Sequence, residues 1–342
     1  MIAPADIAAC RILLKSGSRT FHAVSLVLPR KVADPAIALY AFCRLADDAV
    51  DLGHDRAAAV ERLKVRLDQV YRGQPGAHPA DRAFAAVVQQ FAIPRALPEA
   101  LLEGLAWDAG SRRYETLDDL TDYAARVAAS VGAMMTLVMG NRAPDVMARA
   151  CDLGVAMQLT NIARDIGEDA RAGRLYIPLN WLRDAGIEPN AWLAQPRFSP
   201  EIAALVQRLL DAADVLYARA GAGITHLPRS CRPGIQAARA LYAEIGREVE
   251  RAGLNSIAAR AVVSNRRKAV VLAGRLIGSN GHAPALSQPA LPQVRFLIDA
   301  VAAAPPARGA ERLRPVEERV VWVLDLFTRL ERRDRMLRQQ SS

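Results

Sequence analysis

Lysine is nearly missing from this chain. Only four of its 45 basic residues are lysine, so the net charge of +9 is carried almost wholly by arginine. Such a surplus fits phosphorylated substrates or an anionic membrane surface, and genome bias alone also produces it. Nucleic acid is not an expected partner, because the chain has no recognition motif, no aromatic–basic interleaving and no dense basic block. Aromatic residues are scarce at 5%, and strand-like alternation is almost absent. Ala and Leu are abundant, and Gly and Pro fall mainly at the ends of apolar-periodic segments, which points to an all-α fold. The four cysteines, Cys10, Cys43, Cys151 and Cys231, form no C-x-x-C pair and lie inside apolar helical patterns. They read as buried thiols in a reducing compartment, hence a cytoplasmic protein. No apolar run is long enough to span a bilayer. The longest, Val127 to Gly140, contains Ser130, Thr136 and two glycines and falls short of the ~20 residues a span needs. Asp6 and Arg11 interrupt the N-terminal apolar runs, so no signal-peptide core is expected. A Gly-rich nucleotide fingerprint following a strand is also absent.

What is present is polar chemistry at helical spacing. In Gln158-Leu-Thr-Asn-Ile-Ala-Arg-Asp-Ile-Gly-Glu-Asp169, Gln158, Asn161, Asp165 and Asp169 share one helix face, opposite Val155, Leu159, Ile162 and Ile166. Oxygen donors in such a row suit a hard divalent cation such as Mg²⁺. A solvated face with Arg164 and Arg171 as ion-pair partners explains this helix equally well when it is taken alone. A second array shifts the balance. Tyr40-Ala-Phe-Cys-Arg-Leu-Ala-Asp-Asp-Ala-Val-Asp51 puts Tyr40, Arg44, Asp47, Asp48 and Asp51 on one face of an otherwise apolar helix. Carboxylates this close raise one another's pKa and need a cation to stay ionised together. Two acidic helices with several arginines point to metal ions gripping a diphosphate.

In chain order, helices are expected from Asp6 to about Lys15, from an Asp34-Pro35 start, at about 55–72, 79–92 and 98–112, and from a Thr116/Asp119 capping pair through Leu137. Others follow from Pro144-Asp145, from Ser199-Pro200 to about Ala220, from Pro233 to Arg251, and from about Ser256 to Ile277. The run Ser16-Gly-Ser-Arg-Thr-Phe21 offers hydroxyl and guanidinium donors to a phosphate or makes an ordinary turn. Gly132 invites a close helix neighbour, and Gly154, one turn before Gln158, reads as room for something else. The loop Arg171-Ala-Gly-Arg-Leu-Tyr-Ile-Pro178 places Arg171 and Arg174 to close over whatever the acids hold, or to make surface ion pairs. A catalytic domain over 1–280 is expected, then a linker and C-terminal extension over 281–342. The helix beginning at Pro315 is basic and amphipathic and either packs on the domain or lies on a membrane surface.

The two acidic arrays, together with Tyr123-Ala-Ala-Arg-Val-Ala-Ala-Ser-Val-Gly132 and Gly173-Arg-Leu-Tyr-Ile-Pro178, resemble the squalene and phytoene synthase family. The resemblance runs from about Ser16 to Arg275. It implies one helical isoprenoid-synthase-type domain around a central cavity, with Asp47, Asp48, Asp51, Asn161, Asp165 and Asp169 holding Mg²⁺ or Mn²⁺. It also implies that Asp47, Asp51, Asp165, Asp169 and the aromatic face of Tyr123 act in catalysis. Ser18, Arg19, Thr20, Tyr40, Arg44, Gln158, Arg164, Arg174 and Tyr242 would contact substrate. The implied reaction joins two geranylgeranyl diphosphates head to head through prephytoene diphosphate to phytoene, without a reductant. A phytoene desaturase is the implied downstream partner, and peripheral contact with the inner membrane is expected. The chain departs from the family in carrying Gly17 where a histidine often precedes the Ser-Lys-Ser-Phe type motif, which puts hydrogen bonding at that edge in doubt. The nearest alternative is a sister enzyme using farnesyl diphosphate. A non-catalytic membrane-associated assembly factor has little reason to keep both arrays, and a chain-elongating prenyltransferase would want more lysine.

Overall fold

The structure, a computed structural model, describes residues 2–17, 21, 25, 28–51, 55–277 and 286–305. Ser18, Arg19, Thr20 and the helix expected from Pro315 lie outside the described residues. Among the described residues all regular structure is helical. The helices are α1 (Pro4–Gly17), α2 (Arg30–Asp51), α3 (Arg56–Tyr71), α4 (Pro79–Phe91), α5 (Ala96–Ala109) and α6 (Leu117–Ala124). A π turn (Ala125–Ala129) leads into α7 (Ser130–Val138), followed by α8 (Pro144–Arg171), the short α9 (Leu179–Asp184) and α10 (Pro189–Ala194), and α11 (Pro200–Ile224). The described chain ends with α12 (Arg232–Arg251), α13 (Asn265–Ile277), a 3₁₀ turn (Pro292–Val294) and α14 (Arg295–Ala303).

Local sequence sets most of these boundaries. Thr116 and Asp119 make a reciprocal capping box at the start of α6. Asp55 caps α3 by accepting from Ala58 N at 2.9 Å, and Pro144 and Pro200 stand in the first turns of α8 and α11. Two boundaries differ from expectation. Helix α2 starts at Arg30, ahead of Asp34-Pro35, and holds Pro35 in its interior. The Pro29 carbonyl accepts from Val32 N and Ala33 N at 2.8 and 2.7 Å. Val32, Ala33 and Pro35 are buried, so packing holds a first turn that local signals place later. The helix expected from Ser256 begins only at Asn265. Before it, the backbone of Ser256 and Ile257 lies on α8 at Gly167, whose N–H donates to Ser256 O at 3.1 Å. A Cβ on Gly167 would stand 2.6 Å from both carbonyl oxygens.

Close packing of α8 on its neighbours fixes the cavity walls. A Cβ on Gly132 would meet Ala150 O at 2.7 Å, which is the close approach expected of that glycine. Gly154 also lines the cavity, but its missing side chain chiefly admits backbone: a Cβ there would stand 2.7 Å from Ala128 O and Ala129 Cα. The π turn crossing at this point inserts an extra residue into the helix between Tyr123 and Val131, a feature frequent at functional sites. Residues 286–303 fold back on the bundle, with Val294, Leu297 and Val301 buried.

Candidate active site

Two chambers meet along α8. The first is polar and lined by Tyr40, Arg44, Asp47, Asp108, Tyr123 and Arg164 among others. The second is almost entirely apolar and runs beside α8 from Asn161 to Val146. Tyr40, Cys43, Val127, Gln158, Asn161 and Tyr242 line both, so the chambers are continuous. A ligand with a charged head and a long apolar tail is the shape this space fits. Of the cysteines, Cys10, Cys151 and Cys231 are buried, while Cys43 is half-buried at the junction.

The carboxylates and arginines of the polar end are paired with one another. Arg44 grips Asp48 with Nη2 to Oδ1 at 2.6 Å and Nε to Oδ2 at 3.0 Å, and stands 3.6 Å from Asp47. Asp165 receives Arg164 at 2.7 and 2.6 Å and also Arg260 at 2.8 and 3.1 Å. Arg174, beyond the end of α8, donates to Asp51 on α2 at 2.7 Å and so ties the two acidic helices together. Asp47 and Asp169 are less well balanced. Burial, then the charge of Asp51, pushes Asp47 up to about 6, although its side chain remains 46% exposed. Burial, then Asp165, pushes Asp169 up to about 7.

Between the arrays lies Asp108 at the end of α5, a residue that none of the sequence motifs includes. Its carboxylate accepts from Tyr123 Oη at 2.8 Å and Tyr176 Oη at 2.7 Å. The rings of Tyr114, Tyr123 and Tyr176 pack together around it, with centroids 5.2, 5.3 and 6.1 Å apart. Burial raises the Asp108 carboxyl, and its charge is felt by both Asp47 and Asp169. Arg260, also unanticipated, reaches the site from the irregular segment before α13. Tyr40 and Tyr242 stand at the neck between chambers, and Phe21 stacks on Tyr40 at 5.2 Å. A Cβ on Gly17 would lie within van der Waals overlap of Tyr40 Oη, so the glycine lets the phenol lie against the backbone. Among the described residues no three His, Cys, Asp or Glu side chains already converge on one point. The donor set nonetheless fits hard cations: the carboxylates of Asp47 and Asp169, both pushed up by burial, stand in a cluster whose other acids are held by guanidinium groups.

The fold is that of solved isoprenoid-synthase-type proteins. A dehydrosqualene synthase crystallised with ligand matches with a TM-score of 0.73 at 31% identity, over 79% of this chain and 94% of that one. A squalene synthase from Alicyclobacillus acidocaldarius matches with a TM-score of 0.67 at 26% identity, over 73% and 95%. The squalene/phytoene synthase family profile matches residues 14–267. Among curated relatives, a phytoene synthase from Cereibacter sphaeroides is 48% identical over 99% of this chain and 98% of its own. One from Rhodobacter capsulatus is 52% identical over 88% and 91%. The chain belongs to the squalene/phytoene synthase family.

Proposed function

We propose that this chain is a prenyl-transferring enzyme that makes phytoene, condensing two geranylgeranyl diphosphates head to head through prephytoene diphosphate. The observation that carries this reading is the polar chamber opening into an apolar pocket beside α8. The relatives named phytoene synthase support it at 48 and 52% identity. In the reaction the C–O bond of one substrate breaks to give an allylic cation and diphosphate. The double bond of the second substrate attacks, and proton loss closes the cyclopropane. Departure of the second diphosphate, rearrangement and a final proton loss give the hydrocarbon. Divalent cations, Mg²⁺ or Mn²⁺, held by Asp47, Asp51, Asn161, Asp165 and Asp169, with Asp48 at the edge, would neutralise the departing diphosphate as Lewis acids. Arg44, Arg164 and Arg174 exchange their carboxylate partners for diphosphate oxygens, to which their planar forks are matched. Gln158 completes the polar contacts, and the family resemblance assigns Ser18, Arg19 and Thr20 to the substrate as well. The faces of Tyr40, Tyr123 and Tyr242 steady positive charge on carbon, and the apolar walls keep water from it. The product would pass to a phytoene desaturase, with the enzyme resting peripherally on the membrane. Among the described residues no helix is long and apolar enough to cross one. Purified protein given Mg²⁺ and either geranylgeranyl or farnesyl diphosphate, with the hydrocarbon identified by mass, tests the proposal. A C30 product formed faster than phytoene, or a product changed by NADPH, would reassign the chain to the sister activity.

Two further results are expected. Arg44→Lys and Arg164→Lys should each raise KM for the diphosphate or lower kcat about tenfold, because an ammonium cannot make the two-point contact. Unchanged kinetics would reduce both residues to structural ion pairs. The raised carboxyls set a pH dependence as well. Because burial holds Asp47 and Asp169 at about 6 and about 7 in the folded state, above the ordinary carboxylate value of 3.8, the native state binds more protons than the unfolded one between these limits. Stability of the chelated protein therefore falls as pH rises from about 4 through 7. In a thermal-shift series, Mg²⁺ should raise Tm more at pH 8 than at pH 5. An equal rise at both would mean that these acids are not the cation's partners.

A further inference from the structure

At the end of the apolar pocket away from the acids stands a charged group for which the reaction has no use. Arg149 lines this end, yet its side chain is 0% exposed, as is that of Asp152, whose carboxylate lies 2.8 Å from Arg149 Nε. Asp152 takes a second guanidinium, Arg219, at 2.9 Å. Two cations on one carboxylate leave donors over, and these converge on the backbone of a single segment. Arg149 Nη1 donates to Leu286 O at 3.2 Å and Gln288 O at 3.0 Å. Arg149 Nη2 and Arg219 Nη2 both donate to Pro289 O, at 3.4 and 2.7 Å. Just beyond, Val294 and Leu297 are fully buried against the bundle. This segment lies outside residues 14–267, the part matched by the family profile.

A buried charge cluster is a poor way to add stability, since apolar side chains of the same volume often do as well or better. What it does supply here is a fixed position: its carbonyl contacts hold one backbone path, and Gly223 leaves space for the Arg149 stem, whose Cβ would stand within overlap of any added Cβ. The place matters because of tail length. From Asn161, at the neck, to Arg149 is about twelve residues, or ~18 Å of helix rise. An extended isoprene unit adds four chain bonds, about 5 Å at ordinary bond lengths and angles, so a twenty-carbon tail spans about 20 Å and a fifteen-carbon tail about 15 Å. Only the last unit of the longer tail reaches the wall that Arg149 forms.

Resting on the proposed condensation of prenyl diphosphates, we infer that residues 286–303 are a strap whose docking on Arg149, Asp152 and Arg219 fixes the side wall in the deep part of the pocket, just short of Val146, and sets the preference for the longer tail. The three charged residues are positioning groups that act through the wall. The test uses the full-length chain with Arg149→Met, which alters wall and clasp, and Leu297→Ala, which loosens the strap from a point that does not line the pocket. The ratio of kcat/KM for geranylgeranyl over farnesyl diphosphate is measured with Mg²⁺, with competition constants used where one diphosphate turns over too slowly. The ratio should fall at least fivefold in both variants. A ratio within twofold of wild type in a folded variant overturns the inference and leaves the strap a stability feature. Should Arg149→Met fail to fold, Leu297→Ala and the milder Val294→Ala decide the matter. Wild-type protein that makes no C40 product from geranylgeranyl diphosphate would sink the proposed function itself. Wild-type C40 synthesis with an unmoved ratio would sink the strap alone.

Discussion

Asp47→Asn and Asp165→Asn should each lower turnover by two orders of magnitude or more while leaving the helices folded. Asparagine keeps the shape of the side chain and removes its charge, so the change isolates electrostatics. A hundredfold loss corresponds to about 2.7 kcal/mol of transition-state stabilisation, modest for a group that helps balance a departing diphosphate. The two variants should differ in stability, and that difference distinguishes a functional acid from a structural one. Asp47 is held against burial and against Asp51, with its carboxyl pushed up to about 6. Removing its charge relieves the chelated protein, and Tm should hold or rise. Asp165 is clamped by Arg164 and Arg260. Its neutralisation leaves two guanidinium groups short of a partner, and Tm should fall. Near-normal kcat in either variant, with Mg²⁺ present, would remove that helix from the chemistry.

The parts of the fold legible in advance are those that a single helix encodes. The polar rows of α2 and α8 follow from spacing alone, and so do the cap at Thr116 and the breaks at Pro144 and Pro200, because each depends on residues within a turn or two. The arrangement across elements was not legible. Asp108 is one of three acids on α5, with Glu99 and Glu103, and it becomes notable only when Tyr123 and Tyr176 are brought to it from distant segments. A signal was present: Leu101, Leu105 and Asp108 stand at i, i+4 and i+7, and all three line the polar chamber. Arg260 had no such signal, since its segment reads as helix, whereas the chain there runs in turns and irregular backbone after Ser256 and Ile257 meet Gly167. The start of α2 departs from the local signals for a related reason. Local rules favour Asp34-Pro35, whereas burial of Val32 and Ala33 extends the helix backwards to Arg30. Of the pairings around the site, Arg44 with Asp48 is an i,i+4 contact that a sequence offers. Arg174 with Asp51 joins residues far apart in the chain and needs the fold.

Ala150→Phe should convert a C40 enzyme towards C30 chemistry. Ala150 lines the apolar pocket about eleven residues from Asn161, or ~16 Å along α8, close to where a fifteen-carbon tail of about 15 Å ends. A phenyl ring at this depth blocks the space for the fourth isoprene unit and leaves the first three. The wall cannot retreat to make room, because Ala150 O stands 2.7 Å from where a Cβ on Gly132 would be, so α7 and α8 are already in backbone contact. Overpacking a site this tight costs about 1–3 kcal/mol of stability. Burial of one five-carbon unit is worth about 4 kcal/mol at ~0.8 kcal/mol per methylene, which caps the loss for geranylgeranyl diphosphate near a thousandfold. We expect phytoene formation to fall about a hundredfold, while farnesyl diphosphate, which never occupied that space, is turned over at least as well as by the wild type. Mass analysis of the hydrocarbons formed from an equimolar mixture of the two diphosphates reads the result directly. If phytoene remains the main product, the tail does not run beside α8, and the small residues of that helix serve packing alone.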